Sequence, residues 1–166
     1  MTDQPLSAVA TSTDHEVVIS RVYNAPRELV FNAWTDPEQL KRWWAPMDCT
    51  TPYCTVDLRV GGLFLFCMRR PDGLEFWTRG IYQEILFPER LVFLESLADN
   101  TGKKMDPAEL GFSAQFPSES LVTVTFTALG SKTRVELRHT VPSTTAEREQ
   151  MVQGWCEMFD KLGDIL

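Results

Sequence analysis

The stretch TTAEREQMVQGWCEMFDKLGDIL, residues 144–166, decides how the rest of the chain is read. Thr144 and Glu147 have the spacing of a capping box, in which each side chain satisfies the other's orphan N–H at a helix start. Met151, Val152, Trp155, Met158, Phe159, Leu162, Ile165 and Leu166 then recur every three to four residues. On a 3.6-residue period they form one continuous apolar face, which belongs to a core, a ligand box or both.

Working back from this helix, the period changes to two. Strands are expected at Tyr53–Arg59, Leu63–Arg70, Glu75–Ile85, Leu91–Leu97, Leu121–Ala128 and Thr133–Val141. Gly61-Gly62, Pro71-Asp72-Gly73, Phe87-Pro88-Glu89-Arg90 and Leu129–Lys132 punctuate them, and such short links favour an antiparallel meander. Glu16–Tyr23 alternates in the same way and brings the total to about seven strands. Two short helices follow that first strand. Pro26 precedes a stripe of Leu29, Val30, Ala33 and Trp34. Asp36-Pro37-Glu38-Gln39 then restarts the chain into Leu40, Trp43 and Trp44, ending before Pro46. The class is α+β. Residues 1–15 read as a flexible tail ahead of a single domain over 16–166.

Ala98–Ser120 is too long for an ordinary connection. Within it, Asp106-Pro107-Ala108-Glu109-Leu110-Gly111 carries a cap, a first-turn proline and a terminating glycine, which suits one helical turn. The segment is either a disordered excursion or a lid over a pocket.

The chain has 166 residues, with 16 basic and 23 acidic side chains and a net charge of −7. That balance argues against a protein that neutralises nucleic-acid phosphates or docks on anionic membranes. No run approaches the ~18 apolar residues of a membrane span, and the N-terminus lacks a signal-peptide pattern, so a cytoplasmic location is expected. Cys49, Cys54, Cys67 and Cys156 match no zinc spacing and read as buried free thiols. A grouping of Cys49 and Cys54 with His139 is a weak metal candidate. No nucleotide or zinc-peptidase motif occurs, so no cofactor or metal is expected. Five Trp and ten Phe exceed what a core of this size requires.

The order strand, two helices, six-strand meander, long helix resembles the helix-grip arrangement of the SRPBCC (START-like) superfamily. Within it, the chain resembles the branch related to the C-terminal domain of the activator of the 90-kDa heat-shock-protein ATPase. The matching stretches include Ala25-Pro26-Arg27-Glu28-Leu29-Val30-Phe31, Ala33-Trp34-Thr35-Asp36-Pro37 and Trp43-Trp44-Ala45-Pro46. Further on they include Arg59-Val60-Gly61-Gly62, Gly80-x-Tyr82-x-Glu84-Ile85, Pro88-Glu89-Arg90-Leu91-Val92-Phe93 and Gly154-Trp155. The resemblance implies a curved antiparallel sheet gripping the C-terminal helix, with a cavity between them that often holds a hydrophobic small molecule.

Alternation predicts the cavity side of each strand. Phe64, Phe66 and Met68 share one face. So do Phe76, Thr78, Gly80 and Tyr82, then Leu91, Phe93 and Glu95, then Thr133, Val135, Leu137 and His139. With Trp155, Met158 and Phe159 from the helix, and one of Trp43 and Trp44 at the mouth, these supply the candidate ligand-binding residues. Glu95, His139 and Tyr82 are the candidate catalytic groups. Glu95 stands as either an inward acid or a solvated strand end, and His139 as either a functional or a satisfied structural residue.

The leading expectation is a non-enzymatic domain that binds a hydrophobic or aromatic small molecule. The alternatives are a small cyclase- or hydrolase-like enzyme, which needs two of those polar groups to converge, and a co-chaperone-like interaction module. Outward apolar positions Leu63, Leu65 and Cys67 make a homodimer a further expectation.

Overall fold

In the computed structural model, which describes residues 8–166, the period-two segments form one antiparallel sheet of eight strands. These are β1 (Val9–Ser12), β2 (Glu16–Tyr23), β3 (Thr50–Val56), β4 (Leu63–Arg69), β5 (Glu75–Leu86), β6 (Arg90–Ala98), β7 (Ser120–Leu129) and β8 (Lys132–Thr140). Their spatial order is β1-β2-β8-β7-β6-β5-β4-β3. The helices are α1 (Arg27–Ala33), α2 (Pro37–Trp43) and α3 (Thr145–Ile165). Register shifts in β3 between Thr50 and Tyr53, and in β5 between Tyr82 and Glu84, insert bulges. Bulges bend a strand and increase its twist, which helps the sheet wrap α3.

Seven strands match the sequence reading, and β1 adds an eighth. The tail expected over residues 1–15 is instead structured from Val9. Val9–Ser12 pairs with β2 from Val9↔Ser20 to Ser12↔Val17, and Ala10 packs against the core. Residues 1–7 of that expectation lie outside the described residues. The strand expected at Tyr53–Arg59 ends instead at Val56. Asp57 to Gly62 form a tight turn. Gly61 takes φ +82°, and a Cβ on Gly62 would lie 2.0 Å from the Asp57 carbonyl oxygen.

The capping box that opens α3 forms as read. Glu147 N–H donates to Thr144 Oγ1 (3.2 Å), and Thr144 N–H donates to Glu147 Oε1 (3.1 Å). Trp155, Met158, Phe159 and Leu162 bury the apolar face of α3 against the concave side of the sheet. At the end of α2 both tryptophans are buried, but differently. Trp43 is fully enclosed and its Nε1–H donates to the Ala33 carbonyl (2.9 Å). Trp44 stacks on Phe66, with ring centroids 4.7 Å apart, and meets Trp155 edge-on.

The segment after β6 is an ordered excursion. Pro107–Leu110 forms a 3₁₀ turn capped by the Asp106 carboxylate and stopped by Gly111 in the left-handed region. Its first part crosses the outer face of the sheet, where Arg79 donates to the Gly102 carbonyl (2.8 Å) and Gly102 lies close to Leu63 and Leu65. Leu65 and Cys67, expected as outward dimer positions, are therefore buried within the chain itself. Cys67 sits in register between Tyr53 and Trp77, whose rings approach to 5.4 Å. Of the four free cysteines, Cys54 and Cys67 are buried, while Cys49 and Cys156 are half-buried. No helix among the described residues is long and apolar enough to cross a membrane.

Candidate functional site

On the concave face, cross-strand rows decide where the packed core ends. Gly80 of β5 stands between Phe64 and Glu95 in register. A Cβ at Gly80 would lie 2.0 Å from Phe64 Cζ, so the absent side chain lets the Phe64 ring lie flat on the sheet. Phe64 then packs with Phe66, Tyr82 and Phe93 as one aromatic block.

Beyond that block lies a cavity of about 270 Å³. The sheet lines it with Met68, Thr78, Glu95, Leu97 and His139, and α3 with Glu147, Gln150, Met151, Gly154, Trp155 and Met158. Trp44 and Pro46 close one side, and Phe112 and Phe116 of the ordered excursion close another, their rings 4.3 Å apart. The excursion is held down by Glu147. Its carboxylate accepts from the Ser113 hydroxyl (2.6 Å) and the Ser113 N–H (3.1 Å) while also capping α3.

Trp44, Met68, Thr78, Glu95, His139, Trp155 and Met158 from the sequence reading line this space. Trp43, Phe64, Phe66, Tyr82, Phe93, Val135, Leu137 and Phe159 are instead packed core, and Phe76 is half-buried away from the cavity. Alternation yields the strand phases, but the division of one face into core and cavity depends on which rings fill the concavity. Phe112, Phe116, Glu147, Gln150 and Gly154 line the space without belonging to the faces that alternation selects. Gly154, a glycine inside the apolar stripe of a helix, is the one sequence signal that points there.

His139 is buried and both ring nitrogens are engaged. An indole N–H only donates, so the bond from Trp155 Nε1 to His139 Nδ1 (3.2 Å) fixes Nδ1 as an acceptor. The proton is then on Nε2, 2.7 Å from Ser120 Oγ. Burial lowers the imidazole pKa to about 4. Glu95 is the opposite case. Desolvation raises its pKa to about 7, and its buried Oε2 has no hydrogen-bond partner. The Thr78 hydroxyl, diagonal to it across β5 and β6, is also buried without one. Burial likewise raises the Tyr82 phenol, but Tyr82 belongs to the aromatic block. Glu95 and His139 thus share the cavity, and Tyr82 does not join them. Cys49 and Cys54 do not line it either, and among the described residues no cluster of His, Cys, Asp and Glu is suited to a metal.

The family described as "Activator of Hsp90 ATPase homolog 1-like protein" matches residues 24–166. Among solved structures, a protein from Nitrosomonas europaea is 24% identical, with a TM-score of 0.76 over 94% of this chain and 96% of that one. A protein from Arthrobacter aurescens, solved in solution, is 27% identical, with a TM-score of 0.75 over 93% and 88%. The AHSA1 protein from Silicibacter pomeroyi is 19% identical, with a TM-score of 0.71 over 90% and 95%. Among curated proteins, none matches the chain in sequence.

Proposed function

We propose, from the premise that the chain belongs to the family described as Activator of Hsp90 ATPase homolog 1-like protein, that it binds a small apolar molecule in the cavity between sheet and α3. The observation that carries this reading is the pairing of apolar walls with two buried polar atoms, Glu95 Oε2 and Thr78 Oγ1, that no protein group satisfies. Small-molecule sites have that composition, whereas a core packed for stability alone leaves few such atoms unpaired. The volume, about 270 Å³, falls just below the roughly 300–1,000 Å³ of drug-sized sites, so the ligand is small. Against a catalytic use stands His139, whose two nitrogens are already committed to Trp155 and Ser120.

Titration with the neutral fluorophore N-phenyl-1-naphthylamine tests the reading. Saturable one-site binding is expected, with a change in tryptophan emission because Trp44 and Trp155 line the cavity. Gly154 provides the control. A Cβ there meets nothing nearer than Pro46 Cγ at 3.8 Å, an ordinary contact, so the first carbon of a larger side chain is accommodated and Gly154→Leu extends from it into the cavity. That variant should melt cooperatively and lose the dye. No saturable binding to the wild type, or equal binding to the filled variant, would overturn the proposal.

A further inference from the structure

Resting on that reading of the cavity, we propose that its ligand is an apolar, ring-bearing amine whose nitrogen donates to Glu95 and Thr78. The polar groups around the space set this choice. Both His139 nitrogens are spent on Trp155 and Ser120. Glu147 is spent on Ser113 and the start of α3. What remains inside is the Oε2 of Glu95, which as a carboxylate only accepts, and the Thr78 hydroxyl, which does either. The described lining contains no Lys or Arg, and both of its ionisable acids are glutamates.

An anionic ligand would enter beside an unpaired carboxyl with nothing to neutralise it, and burying an unpaired charge is costly. A neutral hydrocarbon would leave the Glu95 oxygen orphaned. An ammonium group satisfies it with a charge-assisted hydrogen bond in a desolvated setting. Trp44, Trp155, Phe112 and Phe116 line the same space, and aromatic ring faces attract a cation placed over them.

The test is calorimetric titration of the full chain with three probes of one shape: 1-naphthylmethylamine, 1-naphthalenemethanol and 1-naphthoic acid. The amine is expected to bind at least tenfold more tightly than the alcohol, and the acid weakest. Glu95→Gln should reduce amine affinity at least tenfold while leaving the alcohol within about twofold. If the alcohol or acid binds as well as the amine, the amine inference is overturned while the cavity reading stands. If none of the three binds and the neutral dye also fails, both fall together. The wild-type ranking decides the matter even if the Glu95 variant folds poorly.

Discussion

Glu147 and Ser113, thirty-four residues apart, are joined by two hydrogen bonds to one carboxylate, from the Ser113 hydroxyl at 2.6 Å and its N–H at 3.1 Å. The same carboxylate accepts the Thr144 N–H at the start of α3. One side chain therefore begins the helix and fastens the segment that carries Phe112 and Phe116 over the cavity.

Ser113→Ala removes the hydroxyl bond and leaves the helix cap in place. Amide hydrogen exchange should speed up across residues 106–119 and stay unchanged in α3. The global cost should be about 1 kcal/mol, below the range for bonds to a buried charge because the carboxylate is only partly shielded. Unchanged exchange in that segment would show that Ser113 does not fasten it. Desolvation raises the Glu147 pKa, but the bonds from Ser113 and Thr144 outweigh it and hold the acid at about 2. A depressed acid stabilises above its unfolded value near 4.3. That contribution should fade as pH falls from there through about 2, and Glu147→Gln should remove the fade.

The Trp155 indole holds His139 in one tautomer, so the imidazole should show an unprotonated Nδ1 in nitrogen NMR and no titration from pH 8 down to 5. Trp155→Phe keeps most of the apolar bulk but strips Nδ1 of its donor. An unsatisfied buried acceptor costs about 1–3 kcal/mol, and chemical denaturation should report a loss in that range. A variant as stable as the wild type would show that the bond contributes nothing.

Gly80→Ala should be disproportionately harmful for a single methyl. The new Cβ would fall 2.0 Å from Phe64 Cζ, so the ring must leave the sheet. Overpacking of this kind costs about 1–3 kcal/mol or more. In a Phe64→Leu background the same substitution should cost less, because the ring that collides is gone. Additive losses in that double-mutant cycle would contradict the contact.

The phases of the strands are legible in the sequence because one face of a bent antiparallel sheet must be buried, and alternation then fixes every side chain. That is why the pattern alone puts Met68, Thr78, Glu95 and His139 on the concave side. β1 is not legible, since four mostly exposed residues carry almost no pattern. Neither is the division between core and cavity, which depends on Phe64 lying over Gly80, a contact no period encodes. Phe112 and Phe116 sit in an irregular segment, so nothing in their spacing marks them as walls. The outward reading of Leu65 and Cys67 is right in phase and wrong in exposure, because the Gly102 turn and the Tyr53–Trp77 pair cover them.

Glu95 and His139 face the same cavity with opposite pH linkage. His139 has a folded pKa of about 4 against roughly 6.5 unfolded, so its stabilisation is complete above 6.5 and is lost as pH falls toward 4. Glu95 has a folded pKa of about 7 against roughly 4.3 unfolded. Its penalty is therefore absent in acid and grows as pH rises from 4.3 through 7. Each shift corresponds to about 3 kcal/mol, and the windows overlap, so the two should nearly cancel between about pH 4.5 and 6.5. The other ionisable group lining the cavity, Glu147, stays ionised in the folded protein over that window, and its slope, which comes from the unfolded chain, is confined to the acid end near 4.3. The combined contribution of Glu95 and His139 to the unfolding free energy should consequently be flat there. Glu95→Gln should match the wild type near pH 4, exceed it by up to about 3 kcal/mol at pH 8, and expose the His139 slope in between. A Gln variant no more stable than the wild type at pH 8 would mean that the carboxyl of the half-buried Glu95 is not held at a cost, and would remove the reason to expect that a bound cation relieves it.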